Sequence, residues 1–143
     1  MNGEVVEQKL FGIVTEYVGS ELPISGGVYY RGLRPIQDNV SDYKEDAVIA
    51  FLTGTTSDVQ NGTCLVNVYV SDIAGAKSGI YYKDKERCAQ IAEKLEKFPA
   101  FANAHDKDLF FKQRDMIATL KEDEINQHFV SLKMEFKVLN ENY

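Results

Sequence analysis

From Gln127 to Leu139 the chain alternates in strict register: Val130, Leu132, Met134, Phe136 and Val138 are apolar, and Ser131, Lys133, Glu135 and Lys137 stand between them. Successive side chains of a strand point to opposite faces, so this stretch predicts a long strand with one face in a core and the other in water. Such a strand needs neighbours for its backbone and a layer over its apolar face. The chain offers both. Ala47 to Thr53 is an apolar run of seven residues, which predicts a central strand buried on both faces. In Thr63 to Val70, Cys64, Val66, Val68 and Val70 share one face. The polar stretch 54–62 predicts a hairpin between these two strands, with Asn61-Gly62 as a turn signal.

The covering layer is predicted from three-and-four spacing. Val6, Leu10, Ile13, Val14 and Tyr17 lay one stripe along a helix over Glu4–Val18, which Pro23 and Gly26-Gly27 cannot continue. Cys88, Ile91, Ala92, Leu95 and Phe98 give a second helix from Asp84 to Phe98, with Pro99 expected to stop it. Val28 to Leu33 reads as a short aromatic strand, 38–46 as an exposed acidic loop, and 71–82 as a loop long enough to project. Residues 100–115 show no clear phase and read as loop with short helix or strand pieces. Met116–Leu120 predicts one more strand, joined to the last by the charged turn 121–124. The expected order is α-β-β-β-α-β-β in a single domain, 1–143. This is an α+β fold, a two-layer sandwich with a mainly antiparallel sheet packed on two helices. A chain of 143 residues buries enough surface, about 68–70% of what it exposes unfolded, to hold without disulfides or metals.

Charge and compartment narrow the partners. With 16 Lys plus Arg against 22 Asp plus Glu the net charge is −6, which argues against a protein that coats duplex DNA, where affinity rests on basic side chains displacing counterions. The opening residues carry charge where a secretory signal needs an apolar run, so the chain is expected to be made and kept inside a cell. No apolar run approaches the roughly 20 residues that span a bilayer, and no membrane partner is expected. Asn61-Gly62-Thr63 matches a glycosylation sequon that has no use in that compartment.

Candidates for chemistry are few. Gly75-Ala76-Lys77-Ser78-Gly79 resembles a phosphate-cradling loop, but Ser71 and Ala76 stand where glycines belong and no helix begins at the Lys-Ser pair. Cys64 and Cys88, and His105 and His128, are too far apart in sequence for the close spacing of a zinc site; the cysteines read as small core hydrophobes. His105-Asp106-Lys107-Asp108 offers a carboxylate near an imidazole, an acid–base pair on one reading and a polar loop on the other. His128 has no neighbouring nucleophile in sequence. Tyr29 and Tyr30 with Arg31 and Arg34 form an aromatic-basic cluster that suits a base-stacking platform less well than a core or interface. Tyr69, Tyr81 and Tyr82 are expected at a subunit contact. No catalytic, cofactor-binding or metal-binding residue is assigned, no cofactor is expected, and the chain is not expected to be an enzyme.

The opening Val6–Val18 helix, the strand pair Asp46-Ala-Val-Ile-Ala-Phe and Cys64-Leu-Val-Asn-Val-Tyr-Val, and the ending His128-Phe-Val-Ser-Leu-Lys-Met-Glu-Phe-Lys-Val-Leu resemble, in their order, the tail-terminator and tail-completion (head-tail joining) proteins of long-tailed bacteriophages and prophages. The resemblance implies a structural subunit that forms a ring, commonly of six copies, terminating the tail tube in the virion neck. Its implied partners are copies of itself, tail-tube proteins and the head connector, with DNA passing through the lumen without specific binding. On that reading the acidic loop 38–46, facing the lumen, would repel phosphates. A small-molecule-binding or adaptor domain of the α+β type, with a pocket between sheet and helices, is the alternative.

Overall fold

The computed structural model describes residues 1–52 and 58–140. Helix α1 (Gly3–Ser20) leads to strand β1 (Val28–Tyr30), a single 3-10 turn (Val40–Asp42), and strands β2 (Ala47–Phe51) and β3 (Asn61–Ser71). Strands β4 (Ile73–Ala74) and β5 (Tyr81–Tyr82) follow, then helices α2 (Lys85–Glu96) and α3 (Phe98–His105), and strands β6 (Leu109–Gln113), β7 (Ala118–Lys121) and β8 (Gln127–Val138). Thr53 and the 54–57 part of the expected hairpin loop lie outside the described residues.

The fold is α+β. Six strands make one mixed, mostly antiparallel sheet in the order β1-β2-β3-β8-β6, and β7 shares the β6 edge of β8. Its spine is the β3–β8 pair, antiparallel from Asn61↔Lys137 to Ser71↔Gln127 without a slip. The alternation read from the sequence fixes that register, because a shift by one residue would turn Val66, Val68, Val130 and Leu132 toward water. All helices cover one face. Val6, Leu10, Ile13 and Val14 of α1, with Ile91 and Leu95 of α2 and Phe98 of α3, form a single core with Cys64, Val66, Val68, Leu132, Met134 and Phe136.

Helix starts follow from their caps. The Asn2 side chain accepts the Glu4 N–H at 2.8 Å, and that of Asp84 accepts the Arg87 N–H at 3.1 Å, so each satisfies a donor that the first helical turn leaves unpaired.

Several expectations are corrected. Pro99 does not end the second helical segment. It occupies the first turn of α3, where its missing N–H has no partner to lose, and the bend at Lys97 carries Phe98 into the core at 1% exposure. Residues 100–115, expected to be mostly loop, finish α3 and form β6. Asn103 of α3 brackets that edge strand, donating to the Phe111 carbonyl at 2.9 Å and accepting its N–H at 2.7 Å. Asn61-Gly62 is not a hairpin turn but the start of β3, held by Lys137 and Phe136 across the ladder. Strand β1 ends at Tyr30, where Gly32 adopts φ 84° in a turn, and it runs parallel to β2, so the sheet is mixed. The projecting stretch 71–82 is a two-stranded hairpin of its own, β4–β5. No helix among the described residues is long and apolar enough to cross a membrane.

Candidate functional site

Among the described residues, the face of the sheet away from the helices has no second layer. Val48 and Ala50 are buried there by their neighbours alone and stand outside the core cluster, while Tyr29, Leu65, Asn67, Tyr69, Phe129, Ser131 and Lys133 are half-buried. Asn67 turns a buried Oδ1 onto this face with no hydrogen-bond donor among the described residues. The face carries a cleft at each end. Phe129, beside Tyr69 at one end, and Lys137 at the other are eight residues apart on β8, about 26 Å at roughly 3.3 Å per residue.

The first end is built around a buried ion pair. Arg34 Nε lies 2.9 Å from Asp46 Oδ2, with the two side chains 13% and 2% exposed. Arg34 also donates through Nη2 to Gln127 Oε1 at 2.7 Å and to the Lys44 carbonyl at 3.1 Å, and its guanidinium lies 3.9 Å from the centre of the Tyr69 ring. Gln127 donates in turn to the Lys44 carbonyl at 3.0 Å and Ser71 Oγ at 3.3 Å. The second Asp46 oxygen accepts the Gly27 N–H at 2.9 Å. This network pins the 31–46 loop over one end of β3 and β8. The cleft above it, ≈ 580 Å³, is lined by Ile36, Asp38, Tyr69, Glu122 and Glu124. Tyr69 donates to Glu122 Oε2 at 3.2 Å, and burial followed by the Glu122 charge holds its ionisation above the ordinary phenol range.

The other end is basic. A cleft of ≈ 380 Å³ is lined by Phe110, Lys112, Arg114, Phe136 and Lys137 beside Gly62 and Thr63. Arg114 is paired with Glu135 at 2.5 Å, whereas Lys112 and Lys137 are exposed and make no ion pair among the described residues.

The residues singled out from the sequence are dispersed. Gly75 to Gly79 forms the turn of β4–β5: the Gly75 N–H donates to the Ile80 carbonyl at 2.7 Å, and Gly79 takes φ 80°, so its amides close a hairpin rather than surround a phosphate. His105 stacks on Phe101 and pairs with Glu16 at 2.6 Å; its neighbour Asp106 pairs with Lys9 at 3.0 Å, and both contacts tie α3 to α1. Tyr30 stacks on Phe11 at 4.5 Å beside the core, and Arg34 is held by Asp46, which takes both out of a base-stacking platform. The acidic loop carries less free charge than its sequence suggested. Asp46 is neutralised by Arg34 and Glu45 by a two-pronged contact from Arg87 at 2.7 and 2.8 Å, which leaves Asp38 and Asp42.

One pairing escaped sequence reasoning. His128 Nδ1 lies 2.6 Å from Asp72 Oδ1, and Lys121 Nζ 3.6 Å from its other oxygen, with the Asp72 side chain 2% exposed. Imidazole and carboxylate are a general-base combination, but the nearby Cys88 thiol is buried and its ionisation is pushed up by burial, the opposite of an activated nucleophile. The dyad instead fixes the root of the β4–β5 hairpin to the start of β8.

Both cysteines are free, and burial pushes the Cys64 thiol up to about 12. Neither is expected to react with an aromatic disulfide reagent in the folded protein at pH 8, and both should titrate after addition of urea. Rapid labelling without denaturant would contradict the burial described. At Gly26 an added methyl would fall 1.9 Å from Asp46 Oδ1 and 2.7 Å from the Glu45 carbonyl. Gly26→Ala is therefore expected to displace Asp46 from Gly27 and Arg34 at a cost of about 1–3 kcal/mol, read by urea denaturation.

No protein-family model matches the chain, and no curated protein does. Solved structures do. One of them covers 100% of this chain and 99% of its own at a TM-score of 0.51 and 12% identity, and shows the shared fold alone.

Proposed function

We propose that the chain is a structural subunit that works by docking copies of itself into a ring, in the manner of the tail-terminator and tail-completion proteins it resembles, closing a phage or prophage tail tube and meeting the head connector. The observation that carries this reading is the β4–β5 hairpin. It stands outside the main sheet and exposes Ile73, Ile80 and Tyr82 by 52%, 40% and 60%, apolar surface that the described residues leave open. Its shape is nevertheless fixed: Gly75 fits so closely that a Cβ there would meet the Tyr82 ring at 2.6 Å, and the Asp72–His128 contact anchors its base. A rigid, apolar projection is what a subunit contact needs, since little order is lost when it docks. The uncovered sheet face offers further contact area. A contact of standard size takes about 800 Å² per partner, a tenth of this subunit's 8026 Å².

A ligand pocket between sheet and helices, which the alternative reading needs, finds that space occupied by Leu95, Phe98, Phe111 and Phe136, each 1% exposed.

The test is negative-stain electron microscopy with light scattering on the purified chain, beside a variant carrying Ile73→Ser, Ile80→Ser and Tyr82→Ser. The wild type is expected to form rings and the variant to remain monomeric, with a melting temperature within about 3 °C because exposed substitutions leave the fold largely untouched. A wild-type monomer at high concentration would overturn the reading.

A further inference from the structure

We propose that the subunits join head to tail, the acidic end of one open sheet face, led by Ile36, seating against the basic cleft beside Phe110 in the next copy. This deepens the ring reading and rests on it. The two ends of the face match in both respects that a contact requires. In charge, Asp38, Glu122 and Glu124 rim one cleft, with Arg34 beneath them already held by Asp46, while Lys112 and Lys137 rim the other beside the Arg114–Glu135 pair. In apolar surface, the acidic end carries Ile36, 83% exposed, and the basic end offers Phe110 and Leu52, 45% and 49% exposed. The Leu52 N–H donates to the Thr63 carbonyl, which places Leu52 beside that cleft.

Geometry selects a second copy as the occupant. Both clefts open on one face of one sheet, at opposite ends of the same strand pair. Each copy therefore holds one half of the contact at each end; an antiparallel pair would close at two copies, whereas the head-to-tail contact repeats from copy to copy, so a wild type that stops at two copies would overturn it. Like ends repel: two acidic rims or two basic rims brought together juxtapose like charges. The pairing is thus polar, and a two-fold dimer through either end alone is disfavoured. The loop that presents Ile36 and Asp38 keeps its shape before docking, because Arg34 fastens it to Asp46, Lys44 and Gln127.

The experiment is a charge swap read by sedimentation velocity. One variant carries Lys112→Glu and Lys137→Glu; the other carries Asp38→Lys and Glu124→Lys. All four side chains are exposed and their removal breaks no ion pair of the described structure, so both variants should fold. Each alone is expected to associate roughly 100-fold more weakly than the wild type. Mixed in equal amounts they should reassemble, because the reversed basic end of one is complementary to the reversed acidic end of the other. Wild-type association should also weaken between about 0.05 and 0.5 M salt as the charges are screened. Rings that persist in both variants would overturn this contact and leave the ring reading standing. Two variants that stay apart when mixed would overturn it too. A wild type that never associates would overturn both readings and assign the two clefts to other partners.

Discussion

Replacing Asp46 with Ala is expected to remove about 3–5 kcal/mol of folding stability, among the largest losses any single substitution in this chain should produce. The carboxylate is 2% exposed and serves two purposes, accepting from Arg34 and from the Gly27 N–H. Its loss leaves the guanidinium partly desolvated beside Tyr69 with its counter-charge gone, and leaves a backbone donor unmet. Much of the cost comes from the stranded partners rather than from the strength of the pair itself. Asp46→Asn, which keeps an oxygen for Gly27, should lose less. Arg34→Met combined with Asp46→Leu should recover part of the loss, since two apolar side chains strand nothing. Urea unfolding of Arg34→Met, Asp46→Leu and the double closes this cycle, and additive effects would mean that the two side chains do not act as a unit.

Phe136→Ala is expected to cost about 3–5 kcal/mol for a different reason. The ring is 1% exposed, lies between Gly62 and Phe111 in the ladder, and stacks on Phe51 at 5.0 Å between centres. Truncation forfeits the apolar burial and opens a cavity that neighbouring strands, locked in register, cannot collapse into. The melting temperature should fall by roughly 10–15 °C. Phe110→Ala, one position along the partner strand β6 and 45% exposed, is the control: it should change the melting temperature by a few degrees at most.

These two substitutions also mark how far the sequence could be read. Phe136 was legible because alternation is a local signal, and α1 likewise, whose expected stripe Val6, Leu10, Ile13, Val14 and Tyr17 is the buried stripe observed. The ion pair was not legible. Asp46 reads as the last of four loop acids, and the fact that marks it out, a guanidinium and a backbone amide from elsewhere, depends on contacts 12 and 19 residues away in sequence. The Asp72–His128 pair, 56 residues apart, is hidden for the same reason. Pro99 was misread although its signal is local, because a proline fits both beyond the end of one helix and within the first turn of the next. The clefts on the open face gave no signal at all. Each is made by side chains that three or more segments bring together, and their charge separates only once β3 and β8 are laid side by side.

The long β3–β8 ladder has a consequence for how the molecule comes into being. Its partners are more than fifty residues apart, and the later strand ends at Val138. A nascent chain emerging from the ribosome can coil α1 and form the β2–β3 pair, but the sheet cannot be completed until the segment through Val138 has left the exit tunnel. Until then the apolar face of β3 has no permanent neighbour on that side. Synthesis rate and chaperone capture, rather than the intrinsic speed of any helix, should therefore set how much of this protein reaches its native state.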